Sequence, residues 1–176
     1  KIIKANTLAT FKQLKAHLKL ALQTDDYESY IINFLMQNFF TRNKDLDVYI
    51  TTSLKQAKDP TKNYLVIRNW DLIYIKNVYK TAKTYGSMRF DFRDKKLTYA
   101  LQQLIKSKPD KYELALISDK EGKHTLNGLS ESDVFKIRVD DMEKRSDLKG
   151  LLEASRRRGT NINTVINNYS LKNISV

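Results

Sequence analysis

The hydrophobic period switches twice along this chain of 176 residues, and that most constrains its fold. Leu8, Phe11, Leu14, Leu18 and Leu22 recur at three- and four-residue spacing, which predicts an amphipathic helix over 7–23. Asn6 or Thr7 is the expected N-cap. Tyr27, Tyr30, Ile31, Phe34, Leu35 and Phe39 predict a second helix over about 26–40, with Asp25 and Glu28 at capping-box spacing. The short link Gln23-Thr24 makes the two helices antiparallel neighbours. From Leu46 the period becomes two: Leu46, Val48 and Ile50 alternate with polar residues, a strand pattern.

The middle of the chain continues in that period. Tyr64–Trp70 and Leu72–Lys76 are apolar, β-rich runs, and Asn69-Trp70-Asp71 is the expected hairpin between them. Met88, Phe90 and Phe92 alternate with Arg89, Asp91 and Arg93, so the phenylalanines should face the core and the charges the other side. Leu97, Ala100, Leu101, Leu104 and Ile105 predict a helix ending before Pro109. Tyr112–Ser118 reads as a strand and Asp119–Gly122 as a turn. Phe135, Ile137 and Val139 alternate with Lys136 and Arg138, which predicts another strand. Helical spacing then returns. Ser146 is the expected cap of a helix over 147–158, Gly159 its C′ residue, and 161–169 the last helix. The expectation is a single α+β domain over 1–176: a helical pair at 7–40, a β-rich middle at 46–140 and a helical pair at 146–170. Its central sheet should have about five, mostly antiparallel strands flanked by the two helical pairs.

Composition narrows the function classes. The chain has no cysteine, which excludes disulfides and thiolate metal sites. No apolar run approaches the roughly 18–20 residues of a membrane span, and no signal-type apolar region follows Lys1–Lys4. A cytoplasmic location and no membrane partner are expected. Lys, Asn, Ile and Tyr are abundant while Ala, Gly and Pro are scarce, a bias of AT-rich genomes such as low-GC bacteria, phages and plasmids.

Charge gives the strongest functional lead. Lys and Arg number 32 against 20 Asp and Glu, a formal net charge of +12. Such an excess suits a polyanion or an acidic protein. It is concentrated in 61–100, with nine basic and three acidic residues, and then in 136–176, with nine and five. In the first stretch Arg68, Lys76, Lys80, Lys83, Arg89, Arg93, Lys95 and Lys96 are candidates to neutralise phosphates, interleaved with Trp70, Tyr74, Tyr79 and Tyr85, and exposed Tyr faces can stack on unpaired bases. The second offers Arg156, Arg157 and Arg158 for phosphates, with Asn161 and Asn163 beside a groove, if the last two helices form a helix-turn-helix. Arg158-Gly-Thr-Asn-Ile-Asn163 resembles a G-x-N-x-N stretch of relaxosome accessory proteins, over six residues of the chain. In the structural alternative the aromatics fill the core, the cations solvate the surface and the last helices are an ordinary hairpin.

Other chemistry finds less support. His17 and His124 are far apart in sequence and are expected to be solvated, so no metal and no cofactor is expected. Asp91, Asp94 and Glu113 beside Lys95 and Lys96 match no strict nuclease spacing. Lys12, Lys15 and Lys19 form a basic stripe on the first helix, which an ordinary core-facing helix also shows. The expected function is therefore that of a non-enzymatic, nucleic-acid-binding accessory or regulatory protein of a mobile element, phage or low-GC bacterium, with DNA favoured over RNA. The alternative is a phage-type inhibitor that binds an acidic or nucleic-acid-bound protein. A small metal-dependent nuclease or ribonuclease toxin ranks third.

Overall fold

A computed structural model describes residues 8–107 and 114–170. The chain is α+β, as the two periods require. Helices α1 (Phe11–Gln23) and α2 (Tyr27–Asn38) lead to β1 (Val48–Thr51), β2 (Asn63–Arg68) and β3 (Asp71–Lys76). A short α3 (Ala82–Tyr85), β4 (Met88–Phe92), α4 (Lys95–Ser107) and β5 (Leu114–Ile117) follow, then α5 (Glu131–Lys144), α6 (Leu148–Arg158) and α7 (Ile162–Tyr169). The five strands form one sheet in the order β4-β3-β2-β1-β5. Every pairing is antiparallel except β1 with β2. Tyr112, Glu113 and Pro109 lie outside the described residues.

Alternation divides the sheet into two faces. Leu65, Ile67, Leu72, Tyr74 and Phe90 join Ile31, Leu35, Leu97 and Leu101 of the helices in the main core. Tyr64, Val66 and Ile73 form a smaller cluster with Ala57 on the opposite face. As expected, Phe90 is buried while Arg89, Asp91 and Arg93 are exposed. The Asn69-Trp70 hairpin needs no glycine, because only Asn69 takes positive φ, at 56°, and Asn tolerates that region.

The strand expected at Phe135–Val139 is instead part of α5. Ser130 caps that helix by accepting from the Asp133 amide at 3.1 Å. Residues two apart on a helix point about 200° apart, so alternate apolar positions can serve two cores. Val134 and Ile137 enter the main core. Phe135, Val139 and Met142 enter a second core with Phe40, Leu151, Ala154 and Val165. Burial on both sides of one helix imitates a strand in the sequence.

Two expected caps move by one residue, for a shared reason. Asp25 and Ser146 take positive φ, 58° and 52°, and close the preceding helices. The next amide in each case bonds five residues back: Asp26 to the Ala21 carbonyl and Asp147 to that of Met142, both at 2.8 Å. That is the Schellman arrangement. Asp26 and Asp147 then cap α2 and α6, accepting from Ser29 and Gly150. Thr10 caps α1 in a reciprocal pair with Gln13.

Phe90 packs its ring against Phe39 at 5.3 Å and Tyr74 at 6.3 Å. Phe90→Ala is expected to cost about 3–5 kcal/mol, and Arg89→Gln, on the exposed face, less than about 1 kcal/mol. Urea denaturation of both variants measures the contrast.

Candidate nucleic-acid interface

The C-terminal end of α6 is where the two basic stretches meet. Its last carbonyls have no partner within the helix and carry the negative end of its dipole. Donors from three distant elements satisfy them. Lys76 Nζ donates to the Arg157 carbonyl and Arg42 Nη1 to that of Arg158, both at 2.8 Å. The Thr81 hydroxyl donates to the Gly159 carbonyl. Gly159 takes φ 74° as the sequence requires, and an added Cβ there would stand 2.6 Å from the Tyr79 ring.

Lys76 reaches this place because it ends the core-facing row Leu72-Tyr74-Lys76. Its ammonium lies 4.7 Å from the centre of the Tyr79 ring. Burial lowers its pKa to about 8, helped by Arg42 and Arg158 and opposed by Asp45. Burial likewise lowers that of Arg42 and raises that of Asp45. Phe40, buried with φ 54°, turns the chain so that its ring enters the second core shortly before Arg42.

Arg158 is 2% exposed. Its guanidinium bonds the Phe40 carbonyl at 3.1 Å and Glu131 at 3.0 Å, and reaches the Tyr169 hydroxyl at 3.3 Å. It lies 4.2 Å from the Phe135 ring centre and 5.0 Å from that of Tyr169. Arg157 is half-buried, donating to the Asn38 carbonyl at 2.7 Å and pairing with Glu153 at 2.9 Å. Arg156 shares Glu153 at 2.6 Å and packs over Phe90 at 5.1 Å. Asn161 caps α7 through the Thr164 amide at 2.8 Å, and Asn163 is exposed.

The thirteen candidates therefore divide by the end of β3 they occupy. Lys76, Lys80, Lys83, Arg156, Arg157, Arg158, Asn161 and Asn163 belong to the α6 junction. Arg68, Arg93, Lys95 and Lys96 belong to the hairpin end with Trp70. Arg89 lies between, on the exposed face and paired with Asp91 at 2.8 Å. Arg93 pairs with Asp71 at 2.7 Å. Arg68, Lys80, Lys83, Lys95 and Lys96 are exposed and form no ion pair among the described residues. Arg42, Asp45, Glu131 and Tyr169 belong to the junction but escaped the sequence reading, because their contacts span long separations.

The histidines are not solvated as expected. Both are half-buried and meet across the fold: His17 Nε2 bonds the His124 carbonyl at 2.9 Å, and His124 Nδ1 lies 2.5 Å from the Ser29 hydroxyl. Asp119 is engaged by the backbone amides of Lys123 and His124, and the other ring nitrogen of His124, Nε2, has no hydrogen-bond partner among the described residues. The histidine contacts tie the 119–129 loop to α1 and α2. Asp94 caps α4 through the Leu97 amide at 2.9 Å; Glu113 lies outside the described residues. Among the described residues no group of three or more His, Asp or Glu could hold a metal, and no helix is long and apolar enough to cross a membrane. No known protein family, curated protein or solved structure matches this chain.

Two outcomes follow from the junction. Folding favours the neutral Lys76 amine, so its contribution to stability is present in full above about pH 10.5 and is lost as pH falls through 8. Between pH 7 and 9.5 the gain is about 2 kcal/mol, below the range where Tyr30, pushed up to about 12, would titrate. Lys76→Met should lack this rise in guanidinium denaturation at the two pH values. Arg158→Ala, which strands Glu131, should cost roughly 3–5 kcal/mol, and the pair Arg158→Met with Glu131→Gln clearly less.

Proposed function

We propose that this protein binds the phosphate backbone of nucleic acid, DNA ahead of RNA, as a non-enzymatic accessory or regulatory factor. The observation that carries the reading is the α6 junction. It packs Lys76, Tyr79 and Thr81 against Arg157 and Gly159, so two basic stretches about eighty positions apart are brought together. The buried cations there serve the fold, while Lys80 and Lys83 stay exposed on either side of Thr81, which bonds the Gly159 carbonyl. The free cations of the hairpin end extend the basic surface along the sheet. A low-GC bacterium, phage or other mobile element suits the Lys-, Asn- and Ile-rich composition.

The second reading is a phage-type inhibitor of a nucleic-acid-handling protein. It draws on Leu148 and Leu152, one turn apart on α6 and 62% and 50% exposed. That face suits a protein partner rather than a phosphate backbone.

Binding to duplex DNA, single-stranded DNA and RNA, followed by anisotropy at several salt concentrations, separates the two. Duplex binding should weaken with log salt at about 0.9 per phosphate contacted. Lys80→Gln with Lys83→Gln should flatten that slope by roughly 1.8 units and leave the fold intact. Absence of binding to any nucleic acid at about 50 mM salt overturns the reading in favour of the inhibitor.

A further inference from the structure

The geometry points to Trp70 as a stacking platform for an unpaired base, so that the hairpin end takes single-stranded nucleic acid. This deepens the nucleic-acid reading and rests on it. Trp70 is 60% exposed at the tip of a two-residue hairpin. The turn does not require it, since the only positive φ falls on Asn69. An exposed large aromatic that neither the turn nor the core uses is an informative departure from ordinary burial.

Its surroundings fit a nucleotide. Trp70 lines a cleft of about 620 Å³ with Arg93, Asp94 and Lys95. Arg93 is fixed there by its bond to Asp71, which follows Trp70 directly. Arg68, on the other side of the turn, lines two adjoining clefts, one with Arg89 and Arg93 and the other with Lys106. An indole face thus stands among cations on both sides. A base can lie on the ring while the flanking phosphates meet Arg68, Arg93 and Lys95. Stacking of this kind is indifferent to base identity, because every base has a π-face. In a duplex the bases are paired and stacked on each other, so the ring discriminates strandedness. The acidic neighbours Asp71 and Asp94 are engaged, the first by Arg93 and the second by the α4 amide.

Trp70 is the sole tryptophan of the chain, so its fluorescence reports this site without labelling. The whole 176-residue chain would be titrated at about 50 mM salt with oligothymidylate, oligouridylate and a duplex, each of about 12 units. Oligothymidylate is expected to quench the emission saturably, and the duplex to bind with little quenching. Trp70→Ala should weaken oligothymidylate binding at least fivefold and leave duplex affinity unchanged, while Trp70→Phe retains most of it. Stronger quenching by oligouridylate would support the platform and move its partner to RNA. If oligothymidylate and oligouridylate bind without quenching and Trp70→Ala binds them as well as the native chain, stacking is overturned and the nucleic-acid reading stands. If no nucleic acid binds, both fall.

Discussion

A buried helix end sets the plan of this molecule. The final carbonyls of α6 are turned toward buried donors of the protein, and leaving a buried carbonyl unpaired would cost a kilocalorie or more. Three successive carbonyls, of Arg157, Arg158 and Gly159, instead receive Lys76, Arg42 and Thr81. Each donor comes from a different part of the chain: the end of β3, the turn after α2 and the entry to α3. The sheet, the N-terminal helices and the C-terminal helices are fastened at one point. The charges there nearly balance, with Arg42, Lys76 and Arg158 facing Asp45, Glu131 and the negative end of the helix dipole. That balance lets a cation sit in the core without an external anion.

The net charge is therefore only partly available to a partner. Part of the basic excess is consumed by the fold, as carbonyl donors and as buried or half-buried partners of Glu131 and Glu153. The three consecutive arginines show the gradation. Arg158 is core, Arg157 bridges two helices through the Asn38 carbonyl, and Arg156 reaches solvent. Helical geometry sends them about 100° apart, so one sequence run yields three roles. Free charge lies elsewhere, on Lys80, Lys83, Lys95, Lys96 and Arg68 among other exposed cations that form no ion pair among the described residues.

What the sequence made legible follows the range of the forces involved. The strand at Met88–Phe92, the hairpin at Asn69-Trp70 and the glycine after Arg158 depend on neighbours a few positions away, and all three stand where the local pattern puts them. The reading of Phe135–Val139 failed because periodicity assumes one buried side, and α5 has two. The cap at Asp26 was misplaced because Asp25 belongs to the helix before it. Lys76 looked like an exposed cation because charge predicts solvent, although its parity with Leu72 and Tyr74 pointed inward. The contacts of Arg42 with Arg158 and of His17 with His124 join residues more than a hundred positions apart. No spacing rule reaches them.

The same row of β3 residues that buries Lys76 also measures the distance between the two exposed basic groups. From Asp71 to Lys76 the strand advances about 17 Å. Near one end stand Lys80 and Lys83, near the other Arg68, Arg93 and Trp70, and paired strands hold the interval fixed. Seventeen ångströms is about five base-pair steps along one strand of B-DNA. On the proposed reading, a phosphate backbone spanning both groups would meet cations at each end and the Arg89–Asp91 pair between them, so its affinity would concentrate at the ends. The difference between those ends then matters: lysines beside a capped helix turn offer charge alone, whereas the hairpin offers charge around an aromatic face. On that reading, a sheet presenting these chemistries at opposite ends would give a bound polymer a direction. That direction would come from the fold, because Lys76 ends β3 and Trp70 directly precedes its first residue.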